Sequence, residues 1–302
     1  MNNKKELFLI DAFPIIYQSY YAYIKNPLFT SFGLNTSPIV NFTNFLIKIL
    51  NEKNPSYMGV IFDGGKKNFR NKKYKKYKKN RKKTPIEIIL SIPYIIKILK
   101  AFKILYINSN NGYEADDIIG TIANKAENCG YTVYIISLDK DFLQLITKNI
   151  KVYLPPFRGK KSKILEIDDI RKKFDVEHPK QLIDLWSMMG DSSDNIPGLP
   201  GIGEKNAKKF IKKYGTIEKL LNSVDSDNFN KNIKKKIETN KDIGFLSKQL
   251  VTIVTNIPNI KFNENEFFLK NPNFFSIKNI FKELEFFTLF KKAYRYYKKK
   301  KN

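Results

Sequence analysis

Acidic residues stand where the strands of a sheet are expected to end. Asp11, Asp63 and Asp139 each come after a short apolar run, and Asp141 lies just beyond Asp139. In open α/β sheets, ligands bind in the crevice beyond the carboxyl ends of the strands. Carboxylates gathered there repel one another unless a cation neutralises them, and oxygen ligands suit hard divalent ions such as Mg²⁺ or Mn²⁺. The pattern therefore predicts a metal site at this edge.

Two further acidic groups carry the same potential chemistry. Together with the strand-end acids they could hold two divalent ions about 4 Å apart, the spacing of two-metal phosphodiesterases, in which one ion activates water and both stabilise phosphate charge. This scheme needs no histidine, and the chain has a single one. Any one such aspartate is more often a turn former or a helix cap, so the prediction depends on the whole group. The additional acids are Glu114, Asp116 and Asp117 at a predicted helix start, and Asp191 and Asp194 in a Ser-rich turn.

The composition favours a nucleic-acid partner. Lys and Arg total 55 against 29 Asp and Glu, a net charge of +26. Such an excess is typical of proteins that bind polyanions, although abundant Lys, Asn, Ile, Phe and Tyr also reflect AT-rich codons, which explain part of the scattered lysine. A single cysteine excludes an internal disulfide. No apolar run approaches the ~20 residues that cross a bilayer, and the N-terminal stretch is too short for a signal peptide. We expect a cytoplasmic protein without membrane contact.

A strongly basic segment follows Asp63. Residues 64–83 hold twelve Lys or Arg and almost no aliphatic side chains, so we expect the segment to stay outside the core. Such a run is usually a solvated, flexible stretch. If it is helical, Lys78 and Arg81 share one face. The neighbouring Tyr77 could then stack on a base while the cations hold phosphates of a single strand.

A glycine-rich turn precedes a basic helix further along. Gly198, Gly201 and Gly203 would let phosphate approach the backbone N–H groups at the helix start, where the helix dipole is favourable. Lys205 and Lys208 add positive charge in its first turns. The arrangement is similar to helix-hairpin-helix elements that grip a DNA backbone; a plain tight turn between helices is the alternative.

The pattern of elements predicts an α/β fold with a mostly parallel sheet and helices on both faces. Predicted strands lie at 6–11, 57–63, 104–107, 131–137 and 150–154, and predicted helices at 14–24, 38–51, 86–101, 113–127, 167–174, 179–189, 203–214, 216–222, 229–239 and 241–251. We divide the chain into an α/β core (1–165, including an arch segment at 64–100), a helical region (166–257) and a C-terminal extension (258–302). The extension is expected to be irregular to 285 and to end in a frayed basic tail.

Three other residues have ordinary structural interpretations. His178 is expected at the surface or as a helix cap, Cys129 as a small packed side chain and Trp186 in the core.

Several motifs, in this order and spacing, resemble the 5′-nuclease domain of bacterial DNA polymerase I, most closely in its Bacteroidetes form. The likeness extends from about Lys5 to at least Thr255. It implies the PIN-like 5′-nuclease fold of flap endonucleases, in which a helical arch admits the 5′ end, two metals cut the phosphodiester and a helix-three-turn-helix holds the downstream duplex. The motifs are Phe69-Arg70, Tyr77–Arg81, Gly112–Thr121, Asp139–Asp141, Gly190–Gly198 and Gly201–Lys205.

The resemblance implies a role for each acid. The first metal would be held by Asp63, Glu114 and Asp116 with support from Asp11, the second by Asp139, Asp141 and Asp194, and Asp117 and Asp191 would act nearby through water. Mg²⁺ is the expected ion, with Mn²⁺ as the alternative, and Asp116 is counted among the catalytic residues.

The resemblance also implies DNA contacts. Lys78 and Arg81 match arch residues that contact the scissile phosphate and assist its transition state, and Arg70 and Tyr77 are expected to bind DNA beside them. Backbone carbonyls between Gly198 and Gly203 would hold a monovalent ion, usually potassium, that bridges to a duplex phosphate.

The expected activity is that of a 5′-3′ exonuclease and flap endonuclease that leaves a 5′-phosphate on its product. It would remove primers and flaps in replication and repair, as a monomer, together with a separate polymerase and ligase. Two positions depart from the family pattern. Gln18 stands where an Arg usually faces DNA phosphate, and Leu138 stands where Gly or Pro is common.

Two alternative functions are kept open. A single-strand ribonuclease of the PIN-like class shares the strand-end acids but usually lacks the arch and the glycine-rich duplex clamp. A DNA-binding scaffold whose nuclease has decayed is the non-enzymatic alternative; the intact acids argue against it, and Gln18 is the one mild point in its favour.

Overall fold

The computed structural model describes residues 5–65, 68–109, 112–156, 159–224 and 231–301. Six strands form its central sheet. They are β1 (Glu6–Asp11), β2 (Tyr57–Phe62), β3 (Leu105–Asn108), β4 (Thr132–Ile136), β5 (Ile150–Leu154) and β6 (Lys163–Leu165). Their order is β3-β2-β1-β4-β5-β6, with β6 antiparallel and the other pairings parallel. The mostly parallel sheet is confirmed, and β6 is an addition to the predicted strands.

The strands are apolar on both faces because helices cover both sides of the sheet. Leu7 to Ile10 of β1 are each at most 2% exposed. Parallel strands buried on both faces appear in a sequence as continuous apolar runs, which is why their positions are predictable. β1 lies between β2 and β4, so the order of winding reverses beside β1, the position at which ligands bind in open α/β sheets.

One face of the sheet packs against five helices that share an apolar cluster with it. These are α1 (Ala12–Ala22), α2 (Ser37–Lys53), α4 (Ile86–Ala101), α13 (Phe274–Glu283) and α14 (Phe287–Lys301). The opposite face packs against α5 (Ala115–Asn128). Shorter elements are α3 (Phe69–Lys73), a 3₁₀ helix at Lys140–Leu145, and α12 (Glu264–Phe267).

A helical region follows the sheet and packs on the α5 side. Its helices are α6 (Ile167–Phe174), α7 (Gln181–Met189), α8 (Glu204–Tyr214), α9 (Ile217–Asn222), α10 (Lys231–Thr239) and α11 (Lys241–Val251). A continuous cluster of buried apolar side chains joins Ile135 of β4, Ile119 of α5 and Leu185 of α7. The start of the predicted helix at 229–239 lies outside the described residues, and the exact domain boundaries stay predictions.

The C-terminal extension differs from the prediction. The segment expected to be irregular contains α12 and α13, and the expected frayed tail is the end of α14. The reason is packing: Leu289, Ala293 and Tyr296 of α14 are buried at helical spacing, and the Tyr296 ring lies 6.2 Å from the ring of Phe102.

The structure agrees with the expectations for Trp186 and His178 but not with that for Cys129. Trp186 is buried at 4% exposure, and His178 is exposed and accepts the Lys180 N–H, so both predictions are confirmed. Cys129 was expected to be packed but is exposed, because it caps the end of α5 at the surface. In the described ranges, no helix is long and apolar enough to cross a membrane.

Candidate active site

The carboxyl edge of the sheet gathers the strand-end acids. Asp11 is the last residue of β1 and pairs with Ile61, two residues before Asp63. On the other side of β1, Ile10 pairs with Ile136 at the end of β4, which leads to Asp139. Because these three strands are adjacent and parallel, their acids emerge at one edge, as the sequence predicts.

Hydroxyl groups hold two of these carboxylates in place. Ser137 Oγ donates to Asp11 Oδ2 at 2.9 Å, and Ser109 Oγ donates to Asp63 Oδ1 at 3.1 Å. Each serine follows a strand next to that of its partner. Neither serine is among the residues predicted from the sequence, although Ser109 directly follows β3 and Ser137 directly follows β4.

The pKa values show that the acids lie within range of one another. Burial raises the pKa of Asp11 to about 7, with the negative charges of Asp139 and Asp63 adding to the rise. The hydrogen bond from Ser137 lowers this pKa but does not outweigh them. Burial and the charges of Asp139 and Asp194 raise the pKa of Asp141 to about 8. Burial, Asp139 and Asp11 raise the pKa of Asp116 well above its usual range. Carboxylates from separate parts of the chain thus converge into one pocket.

Cationic side chains neutralise this pocket. Lys78 Nζ lies 2.8 Å from Glu114 Oε1 and 3.6 Å from Asp194 Oδ2, and Arg81 contacts Asp194 Oδ1. Burial alone would lower the pKa of Lys78, but Glu114 and the other negative groups raise it well above its usual range. Among the described residues, no three acids stand close enough together to enclose a metal ion as they are. The predicted ligand sets therefore remain predictions.

The segment that carries these cations is not helical. Residues 75–80 form successive turns, and Lys78 adopts a left-handed φ of 53°. Its N–H donates to the Asp194 carbonyl at 2.9 Å, which ties the segment to the turn beyond α7. Lys78 and Arg81 both reach Asp194 by this route and not by sharing a helix face.

Tyr77 is buried, contrary to its expected role as a base-stacking side chain. It is 4% exposed, and its hydroxyl lies 3.0 Å from Glu114 Oε2 and 3.4 Å from Asp194 Oδ2. Burial and the Glu114 charge raise its pKa, so it remains protonated and donates to a carboxylate. The ring is thus placed to orient the acids and is not available to a base in this structure.

Arg70 is also buried, whereas the sequence suggested a DNA contact. It is 2% exposed, and its Nη1 and Nη2 each lie 2.8 Å from Asp117. Its remaining N–H groups reach the carbonyls of Leu250 and Thr252 and Oε2 of Glu114. Every donor is satisfied within the protein, so this arginine links α3, α5 and the end of α11.

Asp117 has a structural role in the metal-free protein, and its predicted action near a metal through water stays a prediction. It is fully buried, and its two oxygens also accept the N–H groups of Glu114 and Val254 at 3.1 and 2.8 Å. With the two bonds from Arg70, each oxygen accepts two hydrogen bonds. Glu114 and Asp117 form a capping box at the start of α5, which fixes the turn that carries Asp116.

The turn containing Asp191 and Asp194 is stabilised from within. Asp191 Oδ1 accepts the N–H and the hydroxyl of Ser193 at 2.7 and 2.6 Å, and its Oδ2 lies 2.7 Å from Lys140 Nζ. Burial opposes ionisation, but Lys140 and Ser193 outweigh it, and the pKa of Asp191 is below its usual range. Lys140 thereby holds this turn against the Asp139–Asp141 loop.

The glycine-rich turn divides into a buried part and an exposed part. Gly198 has a φ of 64°, and a Cβ there would lie 2.3 Å from Gly190 N, so it serves close packing at the end of α7. Its N–H donates to Ser247 Oγ, so this N–H is not available to a phosphate. Gly201 and Gly203 are exposed.

Three lysines lie around this turn. Lys205 is exposed, whereas Lys208 pairs with Glu204 at 2.7 Å. A further cation was not predicted: Lys236 of α10 lies directly beside Gly201. Only the fold brings it there, because 35 residues separate the two.

Gln18 faces the loop after β5. Its Nε2 donates to the Pro156 carbonyl at 2.6 Å. The position at which the resemblance led us to expect an arginine therefore holds an internal contact between α1 and this loop.

Comparison with known proteins gives consistent matches along the chain. Residues 6–175 match the family described as "5′-3′ exonuclease, N-terminal resolvase-like domain", and residues 177–274 match "5′-3′ exonuclease, C-terminal SAM fold". The chain is 34% identical to a 5′-3′ exonuclease of Aquifex aeolicus, over 96% of this chain and 95% of that protein. It is 38% identical to DNA polymerase I of Bacillus subtilis, over 96% of this chain. It spans 32% of that polymerase's length.

Solved structures share the fold. The bacteriophage T5 flap endonuclease, in a complex with DNA and metal ions, matches with a TM-score of 0.69 at 17% identity, over 97% of this chain and 99% of that one. The catalytic core of Rad2 in complex with DNA substrate matches with a TM-score of 0.64 at 19% identity, over 97% of this chain and 91% of that one. At these identities the likeness concerns the fold.

Proposed function

Because the chain belongs to the 5′-3′ exonuclease family, we propose that it hydrolyses phosphodiester bonds at the 5′ ends of branched or nicked DNA with the help of two divalent ions. The observation that supports this is the pocket at the carboxyl edge of the sheet, where Asp11, Asp116 and Asp141 have raised pKa values and Lys78 and Arg81 lie opposite them. Crowded carboxylates of this kind are stabilised by cations.

The donor set fits magnesium or manganese. All of the acids are oxygen donors, which hard divalent ions prefer, and the chain has one histidine and one cysteine. Asp63, Glu114, Asp116 and Asp11 would hold one ion, and Asp139, Asp141 and Asp194 the other. When bound, the ions would supply an activated water and stabilise charge on the phosphate.

The cations of the basic segment would serve the substrate. Lys78 and Arg81 are bound to Glu114 and Asp194, the acids that the metals would use, so metal binding competes with these ion pairs. Once free, Lys78 and Arg81 would hold the scissile phosphate, where fixed positive charge stabilises the transition state. Tyr77 would continue to donate to Glu114 and keep that carboxylate oriented.

The exposed part of the glycine-rich turn would bind the duplex backbone. The N–H groups at Gly201 and Gly203 precede α8, where anions are favoured, and Lys205 and Lys236 add positive charge. A potassium ion held by backbone carbonyls of this turn would complete the contact. In the cell the protein would act in the cytoplasm as a monomer, removing primers and flaps together with a separate polymerase and ligase.

The test compares three labelled substrates in the presence of magnesium and of a chelator. We expect magnesium-dependent cleavage of a 5′-flap duplex that leaves a 5′-phosphate, with much slower cleavage of single-stranded RNA and of plain duplex. Preferred cleavage of the RNA would favour a PIN-like ribonuclease instead. Binding of the flap without any product would favour a DNA-binding scaffold.

A further inference from the structure

The C-terminal helix α14 carries charge that the nuclease pocket does not use. It contains seven Lys or Arg residues, at 291, 292, 295 and 298–301, and no acidic residue. Leu289, Ala293 and Tyr296 bury one side of the helix against the rest of the protein. The basic side chains up to Lys299 lie on the remaining, exposed sides.

Aromatic rings form a stripe along the same helix. Phe290, Tyr294 and Tyr297 follow one another at helical spacing, with ring centroids 6.3 and 6.4 Å apart and interplanar angles of 22° and 17°. Phe274, at the start of α13, lies 5.6 Å from Tyr294 and 5.2 Å from Tyr297. At the margins of the stripe, Phe275 is 74% and Phe287 is 69% exposed. Single exposed rings are ordinary, but a contiguous group of exposed apolar side chains marks an interaction site.

The positive charges around the stripe have little compensation. Lys298 Nζ lies 4.9 Å from the Tyr294 ring centroid, and within the described residues no acid forms an ion pair with α14. The nearby acids are engaged elsewhere: Glu283 pairs with Lys97, and Glu285 accepts from Ser31. This combination of cations and solvent-exposed rings favours a polyanion with flat apolar groups.

We propose that this aromatic–basic surface binds single-stranded nucleic acid. It is defined as Phe274, Phe275, Phe287, Tyr294 and Tyr297 with Lys291, Arg295 and Lys298. Cations that follow a phosphate backbone, combined with rings on which unpaired bases stack, characterise single-strand binding, whereas a duplex keeps its bases stacked inside. An acidic peptide would pair with the cations but would leave the ring faces unused. The choice of nucleic acid among polyanions rests on the proposed nuclease function.

The surface is separate from the proposed duplex contact. α14 packs with α2 and α13 on one face of the sheet, whereas the glycine-rich turn and α8 belong to the cluster on the other face. The stripe from Phe287 to Lys298 extends about 16 Å along the helix at 1.5 Å per residue. It would hold a displaced strand while cleavage takes place elsewhere.

The experiment measures binding of a fluorescent oligothymidylate of about 16 nucleotides by anisotropy, in chelator to prevent cleavage. One variant removes stacking while keeping apolar bulk (Tyr294→Leu with Tyr297→Leu), and another removes charge (Arg295→Gln with Lys298→Gln). Each is expected to weaken binding by about fivefold or more, because stacking and phosphate contacts are both lost. The charge variant should also lower the slope of log K against log salt by about 1.4.

The matched control is Lys172→Gln with Lys173→Gln on α6, where Lys173 lies 5.0 Å from the Phe174 ring centroid. It removes the same charge and should bind like the parent protein. Equal loss in the control, or no loss in the α14 variants, would overturn the proposal. The surface would be assigned to an acidic protein instead if the parent protein and the leucine variant bound polyglutamate equally well and the α14 variants bound oligothymidylate as well as the parent does. Flap cleavage in magnesium should persist in all variants, so failure of the nuclease function would be seen independently.

Discussion

Arg70 and Asp117 form a buried ion pair in which two N–H···O contacts each measure 2.8 Å. The pair joins the basic segment to the first turn of α5, next to Asp116. Removing one partner of a buried pair leaves an uncompensated charge, which typically costs about 3–5 kcal/mol. The basic segment thus contributes to the stability of the core as well as to charge at the site.

Replacing Arg70 should therefore destabilise the protein strongly. We expect Arg70→Met to lower the free energy of unfolding in urea by about 3–5 kcal/mol. The control is Arg171→Met, since Arg171 forms an exposed pair with Asp168 that should be worth about 1 kcal/mol or less. Similar losses for the two variants would contradict the structural role of Arg70.

Lys78 is expected to affect catalysis and metal binding in opposite directions. Lys78→Met should lower kcat on a flap substrate by about 100-fold or more, because the variant loses a positive charge that stabilises the negative charge of the transition state. The same change removes one cation that competes for Glu114 Oε1, so calorimetry should show tighter binding of divalent ions. Lys97→Met, at the exposed pair with Glu283, should change neither quantity. A Lys78→Met variant with weaker metal binding would contradict the proposed competition.

In the metal-free protein, stability should fall as pH rises from about 4 to about 8. The folded pKa of Asp11 is about 7 and that of Asp141 about 8, whereas both are about 3.9 in an unfolded chain. As the pH rises, these carboxyl groups therefore lose their protons in the unfolded state first, and each unit of increase in this window lowers the free energy of unfolding. Urea unfolding in chelator measures the slope.

Substitutions of single acids test whether the pocket causes this dependence of unfolding free energy on pH. Asp11→Asn should make it shallower, and magnesium should reduce it by binding the ionised acids. Asp169 is a suitable control because contact with Lys163 lowers its pKa, so Asp169→Asn should leave the slope unchanged in this window. Stability that rises with pH in chelator would show that the acids are not crowded.

Substitutions at Gly198 and Gly215 distinguish the cost of backbone strain from the cost of steric overlap. Both have positive φ, but a Cβ at Gly198 would meet Gly190 N at 2.3 Å, while nothing lies within 4 Å at Gly215. Gly215→Ala should cost about 1–2 kcal/mol of unfolding free energy from strain alone. Gly198→Ala should cost about 1–3 kcal/mol more, since it also overpacks the turn. Equal costs would contradict the close approach of the two chain segments.

The edge of the sheet was predictable because its signals are local. A continuous apolar run ending in an aspartate defines β1 and β2, and the rule for open sheets then places Asp11 and Asp63 together. The start of α5 was equally clear from its acids. These features need no knowledge of distant contacts.

The basic segment and the C-terminus were not predictable in the same way. Composition shows that residues 64–83 are rich in cations but not which of them pairs with a buried acid: Arg70 meets Asp117, 47 positions away, and the carbonyl of Leu250. Likewise, α14 is stabilised by distant contacts, such as the packing of Tyr296 beside Phe102. Both outcomes depend on the assembled fold.

The most direct test of the account is flap cleavage by the Asp116→Asn variant in magnesium. Asp116 stands among the crowded acids, so the variant should lose cleavage almost completely while it still binds the flap and folds normally. The control is Asp168→Asn, an exposed acid in the first turn of α6, which should cleave like the parent protein. Undiminished magnesium-dependent cleavage by Asp116→Asn would contradict the metal pocket at the edge of the sheet.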